Sequence, residues 1–259
     1  MTNAVTVERK GHVLLIGLNR PEERNIFNMD LIYGLASALG ELEHDPELRC
    51  GVLFAHGKHF TLGLDLAEYS SQASEEGNEY PDGGIDPWGG QKPYRTKPLI
   101  SAVHGICLTL GTELILNSDI RLAAKDTRFF QLEVQRGIFP FGGATYRFVR
   151  DAGWGNAMRY MLTGDEFSAE EAHRMGIIQE VVEQDQLLPR AIELAENIAS
   201  QSPLGTQETI KNARLAILEG EEIAAQMLHP VIHKLFQTED AKEGVASFLE
   251  RRKANFKGC

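Results

Sequence analysis

The chain has 259 residues, of which 42% are hydrophobic and 24% charged, enough to bury a large core and to house an enzyme. A net charge of −11 and a pI near 5.2 supply no overall positive field for a nucleic-acid backbone, so a phosphate-bearing ligand must be held by local groups. Cys50, Cys107 and Cys259 are an odd number without CxxC or CxxxC spacing, which indicates neither a disulfide framework nor a zinc site and fits a reducing cytoplasm.

The first ten residues, Met1 to Lys10, contain no apolar signal core, and no later apolar run approaches membrane-spanning length, so a soluble, unexported protein is expected. Val13 to Leu18 form a compact apolar run that reads as a buried strand. Leu31, Leu35, Leu39 and Leu42 then recur at three- and four-residue intervals, one face of a helix. Gly51 to Ala55, Leu99 to Val103 and Ile120 to Ala124 repeat the strand pattern. This alternation is α/β grammar. Between the second and third of these strands, residues 70 to 97 are polar and rich in glycine, and a lid or a variable surface loop is expected there.

From about residue 153 the pattern turns mainly helical. Ser168-Ala169-Glu170-Glu171 is a capping-box signal for a short helix that Gly176 can end, with Ile177-Ile178 and Val181-Val182 following as a strand. Helical stretches are expected from roughly 186 to 200, 203 to 219 and 221 to 236, with a last one ending near Asn255. The apolar faces of these helices need a partner, either the core or another subunit. We therefore divide the chain into a core over 1–200 and a helical association region over 201–259.

Two acids stand out. Glu113 lies in the segment His104 to Leu114, which carries Gly105 and Gly111. Glu133 lies twenty positions later in Phe129 to Pro140, with Gly137. Two carboxyl groups brought together in an apolar pocket can divide work, because repulsion and desolvation hold one protonated while the other stays ionised. That pairing suits the addition or removal of water. His56, His59 and His104 lie near these segments, but no Ser or Cys nucleophile is set in a triad or elbow around them. Cys107 reads as core filler, and Asp65 as a turn or capping residue.

Five ordered segments carry a resemblance to the crotonase superfamily, the enoyl-CoA hydratase/isomerase family, over essentially the whole chain. They are Leu18-Asn19-Arg20-Pro21 with Arg24-Asn25; Phe60 to Leu66; His104 to Leu114 with Ser118-Asp119; Glu133 with Gly137 and Pro140; and Phe248 to Phe256. The resemblance implies a spiral of repeated ββα units followed by helices that mediate association, as trimers or dimers of trimers. It implies an acyl-CoA thioester as substrate, with no metal and no cofactor beyond the coenzyme A that the substrate carries.

By the same resemblance, the backbone amides of Leu64 and Leu110 would form an oxyanion hole for the thioester carbonyl, with Gly63 and Gly111 letting the backbone approach and turn. Glu113 and Glu133 would hold a water over the β-carbon of a trans-2-enoyl thioester, Glu113 drawing off its proton and Glu133 protonating the α-carbon. Arg24 and the backbone of Phe60, Leu62 and Leu64 would bind coenzyme A, while Phe248 and Arg251 would reach the ligand of a neighbouring subunit. Asp119 matches a structural position at a strand start. Phe141 stands where hydratases commonly carry a glycine near the catalytic water, and Thr109 and Leu110 replace part of the usual glycine run. These departures imply an altered pocket. The implied activity is enoyl-CoA hydration; the alternatives are an enoyl- or dienoyl-CoA isomerase, which needs no placed water, and a non-catalytic acyl-CoA-binding subunit.

Overall fold

A computed structural model of the chain describes residues 3–71 and 77–259. Strand β1 (Val5–Lys10) pairs antiparallel with β2 (Val13–Leu18), Val5 opposite Leu18. Every residue of β2 is buried, as an unbroken apolar run requires of a strand covered on both faces. Helix α1 (Met29–His44) starts at Asn28, whose side chain accepts the Leu31 amide at 3.0 Å, a standard N-cap. Its face of Leu31, Leu35, Leu39 and Leu42 is buried.

The chain then winds. Strand β3 (Cys50–Ala55) joins β2 in parallel, and the short helix α2 (Leu66–Ser70) follows. Strand β4 (Leu99–Val103) turns at Gly105 into β5 (Ile106–Leu108), and helix α3 (Leu110–Leu116) leads to β6 (Ile120–Ala124) and β7 (Arg128–Phe130). Helices α4 (Ala144–Ala152) and α5 (Trp154–Thr163) precede β8 (Phe167–Ser168), α6 (Ala169–Arg174) and β9 (Glu180–Val182). A six-stranded sheet runs β1-β2-β3-β4-β6-β9, parallel after its first pair, and a three-stranded sheet runs β5-β7-β8. Each turn thus places one strand in the large sheet and the next in the small one. Thr61, bridged to Cys107, extends the small sheet back to the segment after β3. Gly105 makes this corner possible: it takes a positive φ of 60°, and a Cβ there would meet the His59 ring at 2.9 Å.

The outer face of the large sheet is covered by α7 (Gln184–Ala199), whose Leu187, Ala191, Ala195 and Ala199 pack on Val52, Ile100 and Leu122. Alanines at four-residue spacing let the helix lie close to the strands. Helices α8 (Pro203–Glu219), α9 (Glu221–Leu235) and α10 (Glu239–Glu250) complete the chain. They leave Leu218, Leu228, Phe236, Phe248 and Leu249 exposed. No helix among the described residues is long and apolar enough to cross a membrane.

Two expectations need correction. The last helix ends at Glu250 rather than near Asn255, because Arg251 takes a left-handed φ of 54° and Arg252 folds back onto Glu243 and Glu250. The 70–97 insertion is not merely a surface loop or lid. Residues 72–76 of it lie outside the described residues, but Ile85 and Trp88 are core residues, and Asp86 accepts the amides of Trp88, Gly90 and Gln91 and the Tyr80 hydroxyl.

Candidate active site

A cavity of about 180 Å³ opens at the end of β5 and the start of α3, lined by Leu62, Leu64, Leu110, Glu113, Glu133 and Phe141 among others. The segments that build it come from successive turns of the spiral. The Leu108 amide donates to the Thr61 carbonyl and the Thr61 amide to the Ile106 carbonyl, so the 61–64 and 106–110 segments run side by side. Gly63 sits against Thr109 so closely that a Cβ would collide with the hydroxyl. Thr109 itself holds φ 48°, a conformation that costs a non-glycine residue on the order of 1–3 kcal/mol and recurs at functional sites.

That strained residue ends β5 and starts α3. The Leu110 amide is the first of the helix and, like the Leu64 amide, donates to no acceptor among the described residues, as expected of a helix N-terminus. Leu64 pairs with Phe27 through its neighbours instead, the Phe27 amide donating to the Gly63 carbonyl and the Asp65 amide to the Phe27 carbonyl. Both amides belong to residues lining the cavity. Two free backbone donors in a largely apolar pocket are suited to an oxygen that gathers negative charge.

Glu113 lies one turn into α3 and is wholly buried. Its Oε1 accepts the Ala144 amide at 2.9 Å, so the start of α4 fixes the carboxyl, while Oε2 has no protein partner. Glu133 opens a 3-10 turn over Glu133–Arg136 and is 4% exposed. Its Oε1 accepts from Gln131 Nε2 at 2.9 Å, and its Oε2 is also without a protein partner. Each acid is thus anchored through one oxygen, and the other is buried without a partner.

Burial pushes the Glu113 carboxyl up to about 7, against the amides of Gly142 to Ala144 and the Arg147 charge, which favour the ionised form. Burial, and then the charge of Glu113, push Glu133 up to about 8. The amides around Glu113 favour its ionised form, and the Glu113 charge in turn favours the protonated form of Glu133. Near neutrality the site holds a base and an acid side by side.

The chain matches the model of the family described as enoyl-CoA hydratase/isomerase over residues 8–259. The chain belongs to the enoyl-CoA hydratase/isomerase family. It is similar to a Mycobacterium tuberculosis protein named enoyl-CoA hydratase, at 34% identity over 96% of this chain and 95% of the relative. A Clostridium acetobutylicum protein named short-chain-enoyl-CoA hydratase is 34% identical over 97% of this chain and 96% of its own. The fold matches the crystal structure of a probable enoyl-CoA hydratase/isomerase from Mycobacterium abscessus with a TM-score of 0.97, at 51% identity and 99% coverage of both chains. An enoyl-CoA hydratase structure from Mycobacterium tuberculosis matches at 0.89, with 33% identity over 99% of this chain and 100% of that one. The spiral of ββα turns is the crotonase fold.

Among the residues that the family pattern singles out, Glu113, Glu133, Leu64, Leu110, Leu62 and Phe141 converge on the one cavity. Arg24 is exposed beside it: its carbonyl accepts the Leu62 amide at 3.2 Å, and its guanidinium makes no ion pair among the described residues. Phe60 is wholly buried, its amide donates to the His104 carbonyl, and it does not line the cavity. Phe248 and Arg251 stand at the end of α10, away from the cavity lining and exposed. Asp119 binds the Arg95 guanidinium and the Leu99 amide, both at 2.8 Å, and Asp65 caps α2, both structural roles. The three histidines near the motifs line no part of this cavity.

Three residues that support the site escape a reading of the sequence. Gln131 anchors Glu133 across the start of the 3-10 turn, and no sequence signal marks it. Trp88 donates its indole N–H to the Leu110 carbonyl at 3.0 Å, bracing the first turn of α3 from a segment that looks like a loop. Arg147, 7% exposed, ties the Gly142 carbonyl to the Gly89 carbonyl. Among the described residues no group of three His, Cys, Asp or Glu side chains is placed to hold a metal.

Proposed function

We propose that the protein is an enoyl-CoA hydratase that adds water across the double bond of a trans-2-enoyl-CoA to give a 3-hydroxyacyl-CoA. The observation that carries this reading is the pair of buried carboxyls in one cavity, each tethered through Oε1 and without a protein partner at Oε2. Glu113, ionised, takes a proton from a water held between the two unpartnered oxygens, and the water oxygen bonds to the β-carbon. The electrons of the double bond move toward the thioester carbonyl, whose oxygen is stabilised by the Leu64 and Leu110 amides. Glu133, protonated, delivers its proton to the α-carbon.

The relatives named as hydratases support the reaction class. Arg24 and the Phe60–Leu64 backbone are assigned to coenzyme A, and no further cofactor is needed. The exposed apolar residues of α8 to α10 support an association region over 201–259 and a trimer or dimer of trimers, with Phe248 and Arg251 reaching a neighbour's ligand. Light scattering of the purified protein measures the oligomer; a monomer would remove that assignment. Three unpaired cysteines favour a reducing compartment, which we take to be the cytoplasm.

Phe141 keeps one rival open, because a ring lining the cavity beside both acids occupies space near the water and an isomerase needs none. Turnover in heavy-oxygen water separates the two. Hydration places the label at the 3-hydroxyl of the product; an isomerised product without label assigns the protein as an isomerase, and binding without turnover as an acyl-CoA-binding subunit.

A further inference from the structure

A second cavity, of about 190 Å³, lies against the first, and Leu110 and Phe141 line both. The two halves of this partition differ. Leu110 is 4% exposed and pinned through its carbonyl by Trp88, whereas Phe141 is 43% exposed and rests on Tyr69 with ring centroids 5.6 Å apart. The wall between Glu113 and the second cavity is one glycine thick. A Cβ on Gly142 would lie 3.0 Å from Glu113 Oε2 and 2.9 Å from Trp88 Cδ1. Among the described residues, Gly142 is therefore the only one separating Glu113 Oε2 from the Trp88 ring at this point, and a chain that passes it reaches the second cavity.

The chemistry of the second cavity is aromatic. Tyr69, Tyr80, Trp88, Phe141 and Tyr146 line it, and the polar handles of Tyr69, Tyr80 and Trp88 are engaged. The Tyr80 hydroxyl donates to Asp86 at 2.8 Å, the Tyr69 hydroxyl meets Asn78, the Trp88 indole is bonded to Leu110, and the Arg147 guanidinium lies 4.7 Å over the Tyr146 ring. Asp86, the charged residue of the lining, is saturated by four donors. Ring faces rather than charges are presented to a ligand. Apolar cavities of about 150 Å³ hold benzene, and aromatic rings favour other rings in tilted contact.

We propose that this second cavity receives the distal end of the acyl chain, that an aryl-terminated chain is the class it selects, and that Phe141 is the specificity-determining partition the chain must displace. The proposal rests on the hydratase reading of the first cavity.

The test compares trans-5-phenylpent-2-enoyl-CoA, trans-dec-2-enoyl-CoA and crotonyl-CoA as substrates of the full-length protein. We expect kcat/KM for the phenyl substrate to exceed that for the decenoyl substrate by about tenfold. Phe141→Ala should raise the phenyl-to-crotonyl ratio about fivefold, and Asn78→Trp, which fills the cavity from its far side, should lower it about tenfold. A decenoyl substrate served as well as the phenyl one, or a ratio unmoved by both variants, overturns the proposal. The wild-type comparison needs no variant to fold. Calorimetric affinities of 5-phenylpentanoyl-CoA and decanoyl-CoA make the same comparison without turnover, so absent hydration would sink the hydratase reading while equal affinities would sink this one.

Discussion

The two glutamates are chemically alike and are made unlike by what touches them. Glu113 accepts an amide at the start of α4, whereas Glu133 has a neutral side-chain amide and the charge of Glu113 nearby. The proposed mechanism requires Glu113 without its proton and Glu133 with its own. We therefore predict a bell-shaped kcat/KM, rising as pH passes about 7 and falling as it passes about 8. Glu113→Gln should abolish the acid limb and Glu133→Gln the alkaline one, with residual turnover lower by about 10²–10⁴ and thioester affinity nearly kept. Equal losses of binding and turnover would instead mean damaged folding. At this scale the family pattern made the pair legible. It could not reveal Trp88 or Arg147, whose contacts at Leu110 and Gly89 join segments distant in the chain.

At the scale of elements, helices α3 and α4 do the positioning, and a single glycine lets them meet. A methyl group at Gly142 would lie 2.8 Å from Leu110 Cδ1 as well as against Glu113 Oε2. Gly142→Ala should therefore push the Glu113 carboxyl aside, lowering kcat by about 10²-fold and stability by about 1–3 kcal/mol; a fully active variant would show that the 142–144 turn relaxes freely. The long buried strands β2, β3, β4 and β6 were legible because each is a compact, mostly apolar run, broken only by Ser101 in β4 and Arg121 in β6. Strands β5, β7 and β8 have two or three residues each, too few for a period, and exist through pairing with one another. The Ser168 cap was local and readable, its hydroxyl accepting the Glu171 amide at 3.2 Å. Ile177 and Ile178 are buried as expected but precede rather than form β9.

Across the whole molecule, the site is a cost to stability. Both carboxyls hold their protons more tightly when folded than at the ordinary value of 4.5. Between about 4.5 and about 8 the folded state binds more protons than the unfolded one, so stability falls as pH rises through that window. Their contribution is complete below 4.5 and lost above about 8. Glu133→Gln escapes the penalty, and its melting temperature should gain on the wild type between about pH 5 and about pH 9; a constant difference would mean that the pair titrates normally. The overall α/β order was legible from alternating patterns, whereas the interleaving of two sheets was not, since it depends on corners such as Gly105 that bring distant segments together.

The central claim is that the two acids hydrate an enoyl thioester. It is tested most directly by following the enoyl-thioester absorbance after wild-type protein and Glu133→Gln are mixed with a short series of trans-2-enoyl-CoA substrates. We predict rapid loss with the wild type and loss slower by about 10²-fold or more with the variant. Absorbance that persists across the series with the wild type, or that falls equally in both proteins, would contradict the account.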